Sequence, residues 1–178
     1  MELTGQRIIA ADRATVWAAL NDPEILKEAI PGCQSMTGTP EEGFEAVVVQ
    51  KVGPVKATFK GSVALSDIVP GESYTISGEG KGGAAGFAKG GARVRLADHE
   101  EGTELTYEVE AKIGGKLAQL GSRIIDGFAK KMADQFFDKF ATAVEGPREE
   151  EAAGDQAEAD ADAPAEGEKK SWLGKLIG

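Results

Sequence analysis

The longest regular pattern in the chain runs over 114–144, where Leu117, Leu120, Ile124, Phe128, Met132, Phe136, Phe140 and Val144 recur at steps of three and four with no proline between them. That spacing sets them on one side of an α-helix, with Lys116, Arg123, Lys130, Lys131, Asp134 and Asp138 mostly on the other. At ~1.5 Å per residue such a helix is about 45 Å long and needs an extended surface to lie on. At ~100° per residue its apolar arc drifts by roughly 100° between an aliphatic first half and a second half with three phenylalanines. Two arrangements account for the drift. Either the helix wraps a twisted sheet, or its aromatic half fills a core while the thinner half roofs a space.

Upstream, 2–10 reads as a first strand. Asp12 is placed to cap a short helix over 13–20 that buries Val16, Trp17 and Leu20. Asp22 and Pro23 start a second helix running to Ile30, which Pro31-Gly32 ends. From Gly38 the texture changes to alternation broken by turns, with strands expected over 44–50, 56–69, 73–80, 87–97 and 103–113. Pro70-Gly71-Glu72 is a type II turn signal. Strands that follow one another through short turns make an antiparallel meander. The order β, two short α, several β, long α is therefore an α+β layout, with a twisted sheet curling about the long helix and a gap where the two diverge. Glycines at 78, 80, 82, 83, 86, 90 and 91 permit strong bending there.

Charge divides the chain of 178 residues, whose net charge is −10. Residues 1–144 carry a net −4, 145–168 a net −9, and 169–178 a net +3. An acidic balance without clustered Lys and Arg argues against nucleic acid as a partner. The segment 145–168 has no large apolar side chain and is expected to be a disordered acidic linker. After it, Lys169, Lys170, Trp172, Leu173, Lys175, Leu176 and Ile177 make a short amphipathic end, expected to anchor the chain at an anionic membrane surface, with a protein-docking peptide as the rival. No apolar run is long enough to span a bilayer, and the N-terminus lacks the basic and apolar regions of a secretory leader. The expected location is thus cytoplasmic, peripheral on the inner face of the cell membrane.

An enzyme needs a constellation of groups, and none assembles here. Cys33 is the only cysteine, which excludes an intrachain disulfide and a thiolate metal cluster. His99, the only histidine, sits in an acidic turn, so Ser-His-Asp and Cys-His arrangements are excluded. The glycine-rich run 78–91 is flanked by strands on both sides, unlike a phosphate loop, which opens a helix. Tyr74 and Tyr107 either hydrogen-bond a ligand or pack. Candidates for the lining of an apolar pocket are Trp17, Leu26, Ile30, Val47, Val49, Phe59, Val63, Leu65, Phe87, Tyr107, Leu117, Leu120, Ile124 and Phe128. No catalytic and no metal-binding residue is expected.

Several segments together resemble the carbon monoxide dehydrogenase G-subunit family of the START-like (SRPBCC) helix-grip superfamily. They are the stretch 16–26, Ile30-Pro31-Gly32-Cys33, Lys51-Val52-Gly53-Pro54-Val55-Lys56, and the stretches 86–92 and 114–121. The resemblance covers about 1–144. It implies a helix-grip fold and a non-catalytic accessory of a molybdenum-containing carbon monoxide dehydrogenase or related hydroxylase. It further implies a C-terminal membrane anchor and a respiratory quinone, menaquinone being the expected one, held in a hydrophobic cavity. Two functions follow as expectations: a tethered carrier of a quinone or similar apolar lipid, or a recruitment or assembly factor without a ligand. A START-like cyclase is a third and poorer one, because it needs polar pocket groups that the sequence does not single out.

Overall fold

Seven strands, β1 (Glu2–Ile9), β2 (Cys33–Thr39), β3 (Gly43–Val52), β4 (Val55–Val69), β5 (Ser73–Lys81), β6 (Phe87–His99) and β7 (Gly102–Gly114), form one antiparallel sheet in a computed structural model that describes residues 1–145. Their order is β1-β7-β6-β5-β4-β3-β2. The meander β2 to β7 follows from hairpin succession, and β1 returns to pair with β7 along its whole length, from Glu2 opposite Glu110 to Ile9 opposite Thr103. Met1 prolongs that pairing, because its amino group donates to the Ala111 carbonyl at 3.0 Å. The chain divides after Val144. The expected linker and the expected anchor fall on 146–178, outside the described residues.

Between β1 and β2 lie α1 (Arg13–Leu20) and α2 (Pro23–Ala29). Both start as their caps dictate. Asp12 Oδ1 accepts from the Thr15 amide at 2.8 Å, and Asp22 Oδ1 from the Glu24 amide at 2.9 Å, each satisfying a first-turn donor that has no partner within the helix. Hydrogen bonds from the Thr15 side chain and backbone hold the Asp12 carboxyl below its ordinary value. Thr103, the buried polar residue among the described residues, donates its hydroxyl to the Ala11 carbonyl at 2.6 Å and so closes the loop leaving β1.

Two elements differ from the sequence pattern. Strand β2 shows no apolar alternation, because it is a sheet edge with a bulge between Cys33 and Ser35, and Met36 alone among its large side chains turns inward. The helix expected over 114–144 is broken. A 3₁₀ segment covers Gly115–Leu120, Gly121 adopts φ +89°, and α3 runs from Ser122 to Glu145. The positive φ ends the 3₁₀ turn and starts α3 afresh, so the segment is two helical pieces, while the drift of the apolar arc continues within α3, where Phe128, Met132, Phe136 and Phe140 follow at steps of four.

Below that break α3 carries a slowly turning stripe, Ile125, Phe128, Met132, Phe136 and Phe140, laid on the concave face of the sheet. Its far end is anchored by aromatics. Tyr107 and Phe137 stack at 5.1 Å, Phe136 meets Phe137 edge-on at 5.0 Å, and Phe136 stacks on Phe140 at 5.6 Å. Each such pair contributes roughly 0.5–1.5 kcal/mol beyond its buried area. Arg7 of β1 lies 5.2 Å from the Phe137 ring and pairs with Asp134, which ties the helix to the sheet edge.

Candidate functional site

The apolar interior does not form one continuous core. One cluster gathers Ile9, Val16, Leu20, Tyr74, Leu105, Tyr107 and Phe140 where α1 meets the end of α3. A second gathers Val52, Leu117 and Ile125, with Phe59, Leu120 and Phe128 against them, at the opposite end of the sheet. Between the two lies a cavity of about 650 Å³. Small residues on the concave face make room for it: Gly61 opposes Gly80, and Gly80 opposes Ala88. A side chain built at Gly80 would meet nothing within 4 Å.

All seven strands, both short helices, the 3₁₀ segment and α3 contribute to the wall. Among the sequence candidates the structure brings together Leu26, Ile30, Phe59, Val63, Leu65, Tyr107, Leu117 and Phe128 around this space. Six others stand outside the lining. Val47 and Val49 lie on the outer phase of β3, where Phe44, Ala46, Val48, Gln50 and Val52 face inward. Three consecutive valines blur the alternation, yet Glu45 and Lys51 on one parity and Phe44 and Val52 on the other were a readable signal. Phe87 is on the outer phase of β6, beside Gly114, and 39% exposed. Ile124 is 41% exposed and Leu120 lies outside the lining; counted back from Met132 and Phe136, the 3.6-residue period of α3 turns Ile125 rather than Ile124 inward. Trp17 supports the wall from behind, edge-on to Tyr74 at 5.3 Å.

Residues missed from sequence include Met36, Phe44, Ile76, Val94, Leu105, Ile125 and Met132, whereas Tyr74, read as either ligand-binding or packed, does line the cavity. Most belong to strands whose inward parity was legible, whereas Met36 required the edge strand to be seen. Polar groups in the wall are few. Gln50 donates its side-chain amide to the Pro31 carbonyl, which leaves its own carbonyl oxygen as an acceptor. Neither the Tyr74 nor the Tyr107 hydroxyl has a hydrogen-bond partner among the described residues. Burial pushes the Tyr74 phenol far above its ordinary value, so it stays protonated and remains a donor. Cys33 is likewise kept as a thiol by partial burial and donates to the Ser35 carbonyl at 3.2 Å.

A second depression of about 340 Å³ adjoins the first and shares Met1, Ala111, Ile113 and Ile125 with it. It lies between the end of β7 and the start of α3, and it brings Ser122 and Asp126 to the flank of the cavity. Among the described residues no cluster of three His, Cys, Asp or Glu side chains is set to hold a metal ion. No described helix is long and apolar enough to cross a membrane.

Several solved structures share this architecture. A conserved protein from Geobacillus kaustophilus is 30% identical, with 82% of this chain and 95% of that one covered at a TM-score of 0.76. Proteins from Chromobacterium violaceum (18% identical, 82% and 97% covered, TM-score 0.61) and Thermus thermophilus (15% identical, 81% and 97% covered, TM-score 0.63) share the fold. A comparison with curated proteins finds no match. The family model for the carbon monoxide dehydrogenase G subunit (CoxG) matches residues 5–145, and the chain belongs to that family.

Proposed function

We propose that this protein is a non-catalytic, membrane-tethered carrier that holds a respiratory quinone, menaquinone being the expected one, or a similar apolar lipid in its cavity and serves a molybdenum-containing carbon monoxide dehydrogenase. Family membership supports an accessory role beside that enzyme. The observation that carries the ligand is the cavity itself. Its volume of about 650 Å³ falls within the roughly 300–1,000 Å³ of small-molecule sites, and its wall is almost wholly aliphatic and aromatic.

The residues present fit a quinone. Phenylalanine and valine faces accept a flat ring and a prenyl chain by shape. The free phenols of Tyr74 and Tyr107 are donors for ring carbonyls, and a buried donor without a partner is costly until something accepts from it. The reading assigns the protein's own residues three tasks: to shield the ligand from water, to orient one carbonyl, and to release the ligand where α3 begins. The amphipathic end 169–178 would hold the carrier near its lipid source.

Native mass spectrometry of the full chain after mild extraction tests this. One bound quinone or lipid per chain is expected, whereas an adduct-free protein would return the chain to the recruitment reading. Deletion of 169–178 separates the two duties: a carrier keeps its ligand and loses the membrane.

A further inference from the structure

At the end of the sheet where α3 begins, lysines face one another across the strands. On the convex face Lys51 opposes Lys56, Lys60 opposes Lys81, and Lys89 opposes Lys112, with Glu79 facing Lys89 from the other side. Like charges directly opposite in an antiparallel pair are destabilising, and three such pairs recur on adjoining strands. All six are exposed, and Lys116 and Arg123 join them at the approach to α3. The segments 51–60, 80–92 and 111–123, which meet at this end, contain eight basic residues and no acidic one. Of the eight, Lys81 alone has a carboxylate within 4 Å among the described residues, that of Glu79 at 3.7 Å. The turns at the opposite end, 40–43, 67–72 and 98–102, hold seven acids and neither Lys nor Arg. The domain is therefore polarised along its strands.

Two further observations bear on what the basic end meets. Phe87 and Ile124, both exposed, lie within this lysine-rich rim. The second depression, which adjoins the cavity, has Lys112 in its own wall, with Asp126 as the one acid there. We infer that this rim is a docking face for an anionic lipid bilayer, with lysine ammonium groups on lipid phosphates and Phe87 and Ile124 at the headgroup boundary. So placed, the flank of the cavity beside α3 lies against its lipid source. Residues 1–144 carry a net −4, so an anionic surface repels the domain in other orientations and accepts it through this end. The choice of lipid rather than another polyanion rests on the carrier reading; the register of the lysine pairs does not.

The test uses the full chain and the variant Lys51→Gln/Lys56→Gln/Lys89→Gln/Lys112→Gln, which removes two of the facing pairs. Relief of two like-charge pairs, set against loss of the one Lys89–Glu79 pairing, should leave its melting temperature equal to or above the parent's, so that lost binding is not misfolding. Both proteins are sedimented with phosphatidylcholine vesicles, with and without phosphatidylglycerol, and loaded with quinone from detergent. The expected result is a fall of at least about tenfold in partitioning onto the anionic vesicles, a shallower salt dependence, and unchanged quinone loading. Partitioning equal to the parent's overturns the inference. So does a variant that keeps vesicle binding but loses capture by the purified dehydrogenase, which assigns the rim to a protein. A parent that takes up no quinone from detergent overturns the carrier reading instead, and leaves the vesicle comparison to decide the rim.

Discussion

Replacing Gly80 with valine should make the domain more stable and a poorer container. Gly80 lines the cavity, faces Gly61 and Ala88 across its two neighbouring strands, and an added Cβ would have nothing within 4 Å. Its φ lies outside the left-handed region, so a β-branched residue enters without backbone strain. Valine adds three carbons at up to ~0.8 kcal/mol each if they are buried, and loss of glycine's chain freedom adds about 0.5–1 kcal/mol. Incomplete packing in an open space reduces the sum to about 1–3 kcal/mol. In a chain of this size that raises Tm by roughly 2–4 °C per kcal/mol, a shift of several degrees in a thermal melt. Quinone loading from detergent, read by mass spectrometry, should fall at the same time. Gly78 is the control. Its Cβ would collide with the Ser62 carbonyl oxygen and lie 2.8 Å from Val63 Cα, so Gly78→Ala should destabilise by about 1–3 kcal/mol. A destabilised Gly80→Val protein with undiminished loading would refute the placement of the cavity.

Three more outcomes follow from the same geometry. Phe140 is fully buried among the aromatics that anchor α3, so Phe140→Ala should cost about 3–5 kcal/mol in urea titration, whereas Phe128→Ala, at the cavity wall, should cost less and reduce quinone loading more. Tyr74→Phe deletes a buried hydroxyl that has no partner among the described residues; unfolding should show unchanged or slightly raised stability, and quinone affinity should fall about fivefold. An equal loss for a hydrocarbon without carbonyls would show that the hydroxyl does not read the ligand. Asp12 has a folded pKa below its unfolded value near 3.8, so its cap contributes stability above that pH and loses it as pH falls through the lower folded value. Asp12→Ala should flatten this acid limb in pH-dependent melting and leave the neutral-pH slope unchanged.

How much of the site was readable depends on what set each side chain's direction. Within strands flanked by clear alternation the parity was already written, as at Phe59, Val63 and Leu65 of β4, and these reached the wall. At Val47-Val48-Val49 the three valines by themselves choose no face, and the parity has to be taken from Phe44, Glu45, Lys51 and Val52 on either side. On the helix the error had one source. Steps of four were carried back from Phe128 to Ile124, whereas the 3.6-residue period of α3, counted from Met132 and Phe136, brings Ile125 inward.

Local chemistry in the sequence determined the two capped helices after β1, the meander from β3 to β7 and its type II turn at Gly71, but not the edge strand β2, because caps, turn residues and alternation act within a few positions of themselves. It also determined the absence of a histidine or cysteine constellation for catalysis. Tertiary structure decided the rest. Whether Leu117 and Phe128 are core or wall, and whether a gap separates the two apolar clusters, depends on the curvature of seven strands against one helix, a property that no window of residues contains. The same is true of the lysine pairs: Lys60 and Lys81, or Lys89 and Lys112, are more than twenty residues apart, and only the register of the sheet makes them face each other. The long apolar stripe of 114–144 is thus an anchor of phenylalanines at one end and a wall beside a basic rim at the other.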